Sequence, residues 1–401
     1  MGDTVRTINQ KTKLIASNNA WIEGEAIKQL EFVSNMKGMT RVVGLPDLHP
    51  GRGYPIGMAC LSDRVYPALV GSDIGCGIGL WQTDVPVRKA KLDKWEKRLR
   101  TESDPERWLD RGAELIEQYL LNENVPESLQ LMISSAHSAW GSVGSGNHFV
   151  ELQKISRIAD ESTLQQMSIN PNQVLLLVHS GSRGLGEAIL RDHVNEHSHA
   201  GIEPGSASCK DYMHRHDFAL RWAGINRQVI AERMTAALSM DTTPILDVSH
   251  NFVERKEVEG HTGWLHRKGA VPTDKGYVVI PGSRGDSSYL VCPTNDADIS
   301  LFSLAHGAGR KWLRTECYGR LKNRYSVSEL TRTSLGSRVL CDNKELLYEE
   351  APEAYKPIHT VISDLADLGL IKVIAELQPL LTYKSVSNKD SKRSHSHRRE
   401  G

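Results

Sequence analysis

Between Arg41 and Leu80 short apolar runs alternate with Gly, Pro and Asp turns (RVVGLPDLHPGRGYPIGMACLSDRVYPALVGSDIGCGIGL). That pattern predicts short strands with polar residues at their ends, not a helical region. Residues 87–123 change character: charge with regularly spaced Leu and Trp, as in LDKWEKRLR and RWLDRGAELIEQYLL, predicts two amphipathic surface helices, the first a solvated insertion. An apolar segment then breaks into a Gly/Ser loop before a strand through His148 to Leu152. Val174–Val178 repeats the design and ends at His179 and a glycine-rich turn. Residues 211–238 lack Pro, hold only Gly224, and carry Leu, Ile, Val and Met at helical spacing, which predicts one long helix. Strands return around ILDVSHNFVER, a hairpin through HTGWLHRKGAVP, and YVVIPGSRG. LFSLAHGAGRKW runs from an apolar segment through glycines into a helix beginning near Arg310. A last helix is predicted over 359–380, and the polar, basic residues beyond 386 read as disordered.

Composition narrows the class. The chain has 401 residues, 39% hydrophobic and 24% charged, with 49 basic and 49 acidic side chains. Bulk charge therefore offers nucleic acid nothing, and a local basic patch would be needed. No stretch of about 18 apolar residues occurs and no apolar run follows the first charges, so membrane spanning and secretion are disfavoured. The six cysteines, Cys60, Cys76, Cys209, Cys292, Cys317 and Cys341, are scattered and form no CxxC pair, which argues for a reducing cytoplasm and against a disulfide framework. With no internal repeat and no linker, a single mixed α/β domain over 1–386 around one cleft is expected, followed by a disordered basic tail, 387–401.

The chemistry gathers at the turns. Asp73, Cys76, His148, His179, His250 and His306 supply carboxylate, thiolate and imidazole, a set suited to zinc, manganese or iron. Four of the histidines sit where a strand-like run meets a Gly/Ser/Asn turn, the placement expected of a site shared between strand ends. GSVGSGNHF, HSGSRGLG, PGSRGDS and HGAGRK offer backbone N–H groups in small-residue loops, and with Arg52, Arg183, Lys268, Arg284 and Arg310 they favour a polyphosphate or RNA backbone ligand. None matches a P-loop, and GSVGSGNHF lacks the strand-helix-strand context and ribose-binding acid of a dinucleotide fingerprint. Metal ligands beside phosphate cradles point to phosphoryl or nucleotidyl transfer, with His306 a possible nucleophile on phosphorus. The residues alone leave ligand and nucleophile roles among the histidines open.

In PDLHPGRGYPIG, VGSDIGCG, GSGNHFVE, HSGSRGLG, SHNF, RKGA, PGSRG and HGAGR, in this order, the sequence resembles the RtcB family of RNA-splicing ligases over residues 15–385. The resemblance implies that family's α/β fold, with central sheets lining a deep metal-binding cleft, and not a Rossmann fold. It implies two Mn²⁺ ions, one on Asp73, Cys76 and His148, the other on Cys76, His179 and His250. GTP would guanylylate His306, and the guanylate would pass to an RNA 3'-phosphate or 2',3'-cyclic phosphate end, which is then joined to a 5'-hydroxyl end. Nucleotide contacts are implied for Asn147, His148, Glu151, His250, Asn251, Pro281, Gly282, Ser283, Gly307, Ala308, Gly309, Arg310, Tyr355 and Lys384. Asp47 and His49 match an acidic motif near the metals, Arg183 an RNA phosphate clamp. RNA and an activating protein are the implied partners of a cytoplasmic monomer with no membrane partner. The chain departs from many relatives in its 16 residues after Ser385, in a short 80–141 region, and in Ala305 where serine is common. Competing readings are a metal-dependent phosphohydrolase or cyclic phosphodiesterase and a non-catalytic RNA-binding protein.

Overall fold

Strand ends carry most of the candidate residues in the structure, a computed structural model that describes residues 4–101, 105–120, 129, 132, 136–294 and 298–385. The tail expected over 387–401 lies outside them. In chain order the strands are β1 (Val5–Asn9), β2 (Thr12–Ile15), β3 (Met39–His49), β4 (Ile56–Ser62), β5 (Gly77–Pro86), β6 (Phe149–Ile158), β7 (Gln173–Ser180), β8 (Thr242–Ser249), β9 (Asn251–Val258), β10 (His261–Lys268), β11 (Ala270–Pro272), β12 (Val278–Ile280), β13 (Ser288–Pro293), β14 (Ser303–Ala305), β15 (Arg338–Cys341) and β16 (Ile371–Ser385). One sheet runs β1-β2-β3-β4-β10-β9 and the other β12-β13-β16-β6-β7-β5-β8, with β15 alongside β16; β11 and β14 pair separately. The fold is a mixed α/β domain of predominantly antiparallel sheets, not a doubly wound one.

The uninterrupted apolar run of β7 is explained by its place. It pairs with β6 on one side and β5 on the other, and Val174 through Val178 are buried on both faces, which leaves no polar position to alternate. The long helix Ala207–Leu238 covers one face, laying Trp222, Val229, Ile230 and Met234 into the core. Ser206 starts it by accepting a hydrogen bond from the Cys209 N–H, and Ser239, in the left-handed conformation, ends it. Helices Leu92–Thr101 and Pro105–Leu120 form as expected. The first is more than a solvated insertion, since Trp95 and Leu99 are buried against Trp81, Ile230 and Met234.

Three expectations are corrected. HTGWLHRKGAVP is not a hairpin: it is β10, a kink at Gly269, and β11. The turn lies earlier, at Glu259-Gly260 between β9 and β10, where both residues have positive φ and so match the strands' twist. No helix begins near Arg310; the chain pairs with Tyr355 there and turns helical only at Arg314. The predicted helix 359–380 is helix only over Ile358–Asp367. Gly369, at φ 69°, reverses the chain into the fifteen-residue β16. This strand lies between β13 and β6 and passes its Pro379 through a register shift opposite β6, the kind of irregularity that accommodates a residue without an N–H.

Candidate active site

Register lines up the candidate ligands. Gly77 of β5 faces Ser180 of β7 and Ser249 of β8, while His179 faces Ile78 on one side and Phe149 of β6 on the other. Cys76, His148, His179 and His250 therefore occupy neighbouring strand ends. Cys76 Sγ stands 3.3 Å from Nε2 of both His148 and His179. The row extends at each end, His148 Nε2 lying 2.9 Å from Asp73 Oδ2 and His179 Nε2 3.4 Å from His250 Nε2. The ligand atoms of Cys76, His148 and His179 all lie within 4.8 Å of one another, and all three residues are buried.

Arg227, on the long helix, fixes this row and was not foreseen. Only 1% exposed, its Nη1 donates to the carbonyls of Gly75 (2.7 Å) and Ser180 (2.9 Å), while the rest of its guanidinium pairs with Asp247 of β8. One side chain thereby ties the Cys76 loop, the end of β7 and β8 together. Nothing in the sequence distinguishes it from the helix's other arginines.

His306 follows β14. The Ala270–Ala305 pair in the small sheet, with the Ala270 N–H bonded to the His250 carbonyl at 3.0 Å, sets it beside the metal-ligand row, its ring centroid 4.9 Å from that of His250. Asp47, wholly buried at the end of β3, accepts from His306 Nδ1 at 2.6 Å and from its backbone N–H at 3.1 Å. This pairing places the Nδ1 proton toward Asp47 and leaves Nε2 with no hydrogen bond among the described residues. Lys356 holds the Asp47 segment by donating to the carbonyls of Pro46 and Leu48. His49 caps the same strand end, its Nδ1 2.8 Å from the Asp47 carbonyl; burial pushes its imidazole down to about 3.

A cavity of about 780 Å³ opens beside His306 and His179. Of the implied nucleotide contacts, Asn147, Glu151, Pro281, Gly282, Ser283, Gly307, Ala308, Gly309, Arg310, Tyr355 and Lys384 line it, with Arg52 and Arg284. His148 and His250 belong to the ligand row. Asn251 is engaged elsewhere: it accepts from the Gly269 N–H at 2.7 Å and donates to the Asp73 carbonyl. Lys268 lies against Gly71, away from the cavity, and burial pushes its ammonium down to about 8. Arg183 lies against Gly144 and approaches His148 Nδ1 at 3.5 Å.

The cavity's charge centre is Glu350, which the sequence buries in an ordinary acidic run. It is 3% exposed and accepts from Arg314 (2.7 Å), Arg310 (3.1 Å), Lys384 (3.3 Å) and the Tyr355 hydroxyl. Burial alone would raise its carboxyl, but Lys384, Arg314 and Arg310 pull it down to about 2. Glu151, by contrast, is pushed up to about 7 by burial, against the hydrogen bonds from Thr382 and Gln153.

The family model for the tRNA-splicing ligase RtcB matches residues 29–123 and 113–385. The chain belongs to the RtcB family. The RNA-splicing ligase RtcB2 of Escherichia coli is 50% identical over 394 residues, spanning 97% of this chain and 100% of its own. Among RtcB proteins called tRNA-splicing ligases, that of Archaeoglobus fulgidus is 30% identical over 440 residues and that of Methanococcus maripaludis 28% over 441, each spanning 90% of this chain and 91% of its own.

This RtcB chain's donor set suits a divalent transition metal. Burial, reinforced by Asp73, pushes the Cys76 thiol well up, while burial drives the His179 and His250 imidazoles well down. The imidazoles are thus neutral and ready to bind, and the thiolate needs a cation beside it. Asp73 Oδ1 is buried without a partner, a free carboxylate oxygen at the row's open end.

Proposed function

We propose that this chain is a GTP- and Mn²⁺-dependent RNA ligase that joins a 3'-phosphate or 2',3'-cyclic phosphate end to a 5'-hydroxyl end, with its activity in one catalytic domain, 1–386. The observation that carries the reading is the Asp47–His306 pair at the end of a Cys/His row, opening on a cavity of nucleotide size. Asp73, Cys76 and His148 would hold one Mn²⁺ and Cys76, His179 and His250 the other; bound there, the ions supply charge neutralisation on phosphoryl oxygens and activation of an attacking oxygen.

The protein's own groups account for the order of steps. Tyr355 and Lys384 enclose the guanine, with Asn147, Glu151 and the 281–283 and 307–310 loops holding the rest of GTP. His306 Nε2 attacks the α-phosphorus, the bond to pyrophosphate breaks, and a phosphoramidate forms. The positive charge that develops on the ring is met by Asp47 through Nδ1–H, as in a His–Asp dyad. An oxygen of the RNA 3'-phosphate then attacks this phosphorus and expels neutral His306, giving an RNA-3'-pp-5'-G end; a cyclic end is first hydrolysed. Attack by the 5'-hydroxyl on the RNA phosphorus forms the phosphodiester and releases GMP and a proton. Arg183 is suited to an RNA or nucleotide phosphate, whereas Arg310 lines the cavity with its donors spent on Trp312, Glu350, Tyr355, Cys317 and Glu349. None of the six cysteines is in a disulfide, in keeping with a reducing, cytoplasmic setting.

Intact-protein mass spectrometry after incubation with GTP and Mn²⁺ tests the reading. A guanylate-sized gain is expected on the wild type and not on His306→Ala, whose metal content stays at the wild-type level; Cys76→Ala loses both metal and adduct. A metal-loaded wild type that takes no guanylate would overturn it in favour of a metal-dependent phosphohydrolase.

A further inference from the structure

A second cavity, of about 660 Å³, shares Arg284 with the first. Arg284 is 7% exposed; its Nη2 donates to the Leu347 carbonyl at 2.7 Å, and its buried Nη1 has no partner. On the same cavity the Glu353 carboxylate, set beside the Tyr325 hydroxyl, keeps Oε2 buried and unpartnered. The cavity's other acid, Glu329, is already engaged in capping the 327–330 helix through Ser326. A buried donor and a buried acceptor are thus left unsatisfied together.

That combination selects a ligand class. A bare phosphate would satisfy the guanidinium and repel the carboxylate, and a cation would do the reverse. A nucleobase edge carries donors and acceptors side by side, and unstacked RNA bases are read by such edges and by aromatic faces. Tyr325 supplies the aromatic ring, with Arg324 5.7 Å from its centroid adding positive charge. Arg332, exposed and without a carboxylate partner among the described residues, lies at the same cavity and can meet a backbone phosphate.

We propose that this second cavity takes one unpaired nucleotide of the RNA strand, its base edge on Arg284 and Glu353, its ring by Tyr325 and its phosphate on Arg332; the proposal rests on the RNA-ligase reading above. Because Arg284 walls both cavities, the nucleotide so held is adjacent to the reacting end.

The test measures binding of a fluorescent, 3'-phosphorylated single-stranded RNA to the full chain with Mn²⁺ present, for wild type, Glu353→Gln and Arg332→Ala. Guanylate uptake from GTP is followed in parallel. Each variant is expected to bind RNA about tenfold more weakly, an effect of the size of one lost contact, while guanylate uptake stays at the wild-type rate. Wild-type RNA affinity in Arg332→Ala, an exposed position whose change leaves the core intact, would overturn the subsite. Free GMP or AMP that binds wild type but not Arg332→Ala, with RNA affinity unmoved, would assign the cavity to a soluble nucleotide and equally overturn it. Failure of the wild type itself to take guanylate would instead strike the ligase reading.

Discussion

Asp47 accepts two hydrogen bonds from His306, and the one from Nδ1 decides which ring nitrogen is free to react. Asp47→Asn keeps the shape but removes the charge that steadies the ring as it becomes cationic. Guanylate uptake by that variant should slow by a factor on the order of 10³–10⁴, the scale seen when a histidine loses its carboxylate partner, with metal content unchanged by elemental analysis. The two cavity acids set opposite pH dependences. Glu151, held at about 7 against an ordinary 4.5, favours its protonated form in the fold, so its contribution is full below 4.5 and is lost as pH rises through 7. Glu350, held at about 2, contributes above 4.5 and loses that contribution as pH falls through 2. At about 1.4 kcal/mol per unit, each is worth about 3 kcal/mol. In denaturant unfolding of the metal-free proteins, the stability of the wild type relative to Glu151→Gln should therefore fall between pH 4.5 and 7, the buried histidines being common to both; a constant difference would refute the burial argument.

At the scale of elements, the ends of β5, β7 and β8 are aligned by register and then held by Arg227. Arg227→Met removes the donor to the Gly75 and Ser180 carbonyls and the partner of the solvent-exposed Asp247, and should cost about 1–3 kcal/mol, the range for leaving buried hydrogen-bonding groups unsatisfied. Calorimetric titration should show weaker Mn²⁺ binding even in the folded population. The ligand row was legible in the sequence because each histidine sits where an apolar run meets a turn, so local pattern and site coincide at His148, His179, His250 and His306. Arg227 and Glu350 were not, since their roles arise from partners such as Gly75 and Arg310 that are distant in sequence. β16 was missed for another reason: burial alternates over Ala375–Leu381, but the apolar runs on either side, Val373–Ala375 and Leu380–Leu381, blur that period, and such a mixture is not told from helix by periodicity alone. Only Gly369, a common helix terminator, marked the boundary.

For the whole molecule, the ligands come from Asp73 to His250 and tie together strands far apart in the chain, so a bound ion should resist unfolding globally. Chelation of the Mn²⁺-loaded protein should lower its stability by about 2.7 kcal/mol relative to Mn²⁺ at a hundredfold excess over its dissociation constant, read as a drop in Tm. Loading should also release a proton, because the Cys76 thiol is protonated without a cation. Calorimetry in buffers of different ionisation enthalpy would detect that proton, and buffer-independent heats would exclude thiolate ligation.

The fifteen-residue β16 delivers Lys384 at its far end, where Lys384 reaches back to Glu350 and to the carbonyls of Gly146 and His148. Because β16 lies inside its sheet, between β13 and β6, it cannot loosen without opening pairings on both sides. Lys384 is thus tied to the nucleotide pocket by the same pairing that holds β6, the strand that follows His148. A nucleotide that engages Lys384 should therefore slow amide hydrogen exchange along β6 and β13 as well as in the pocket itself.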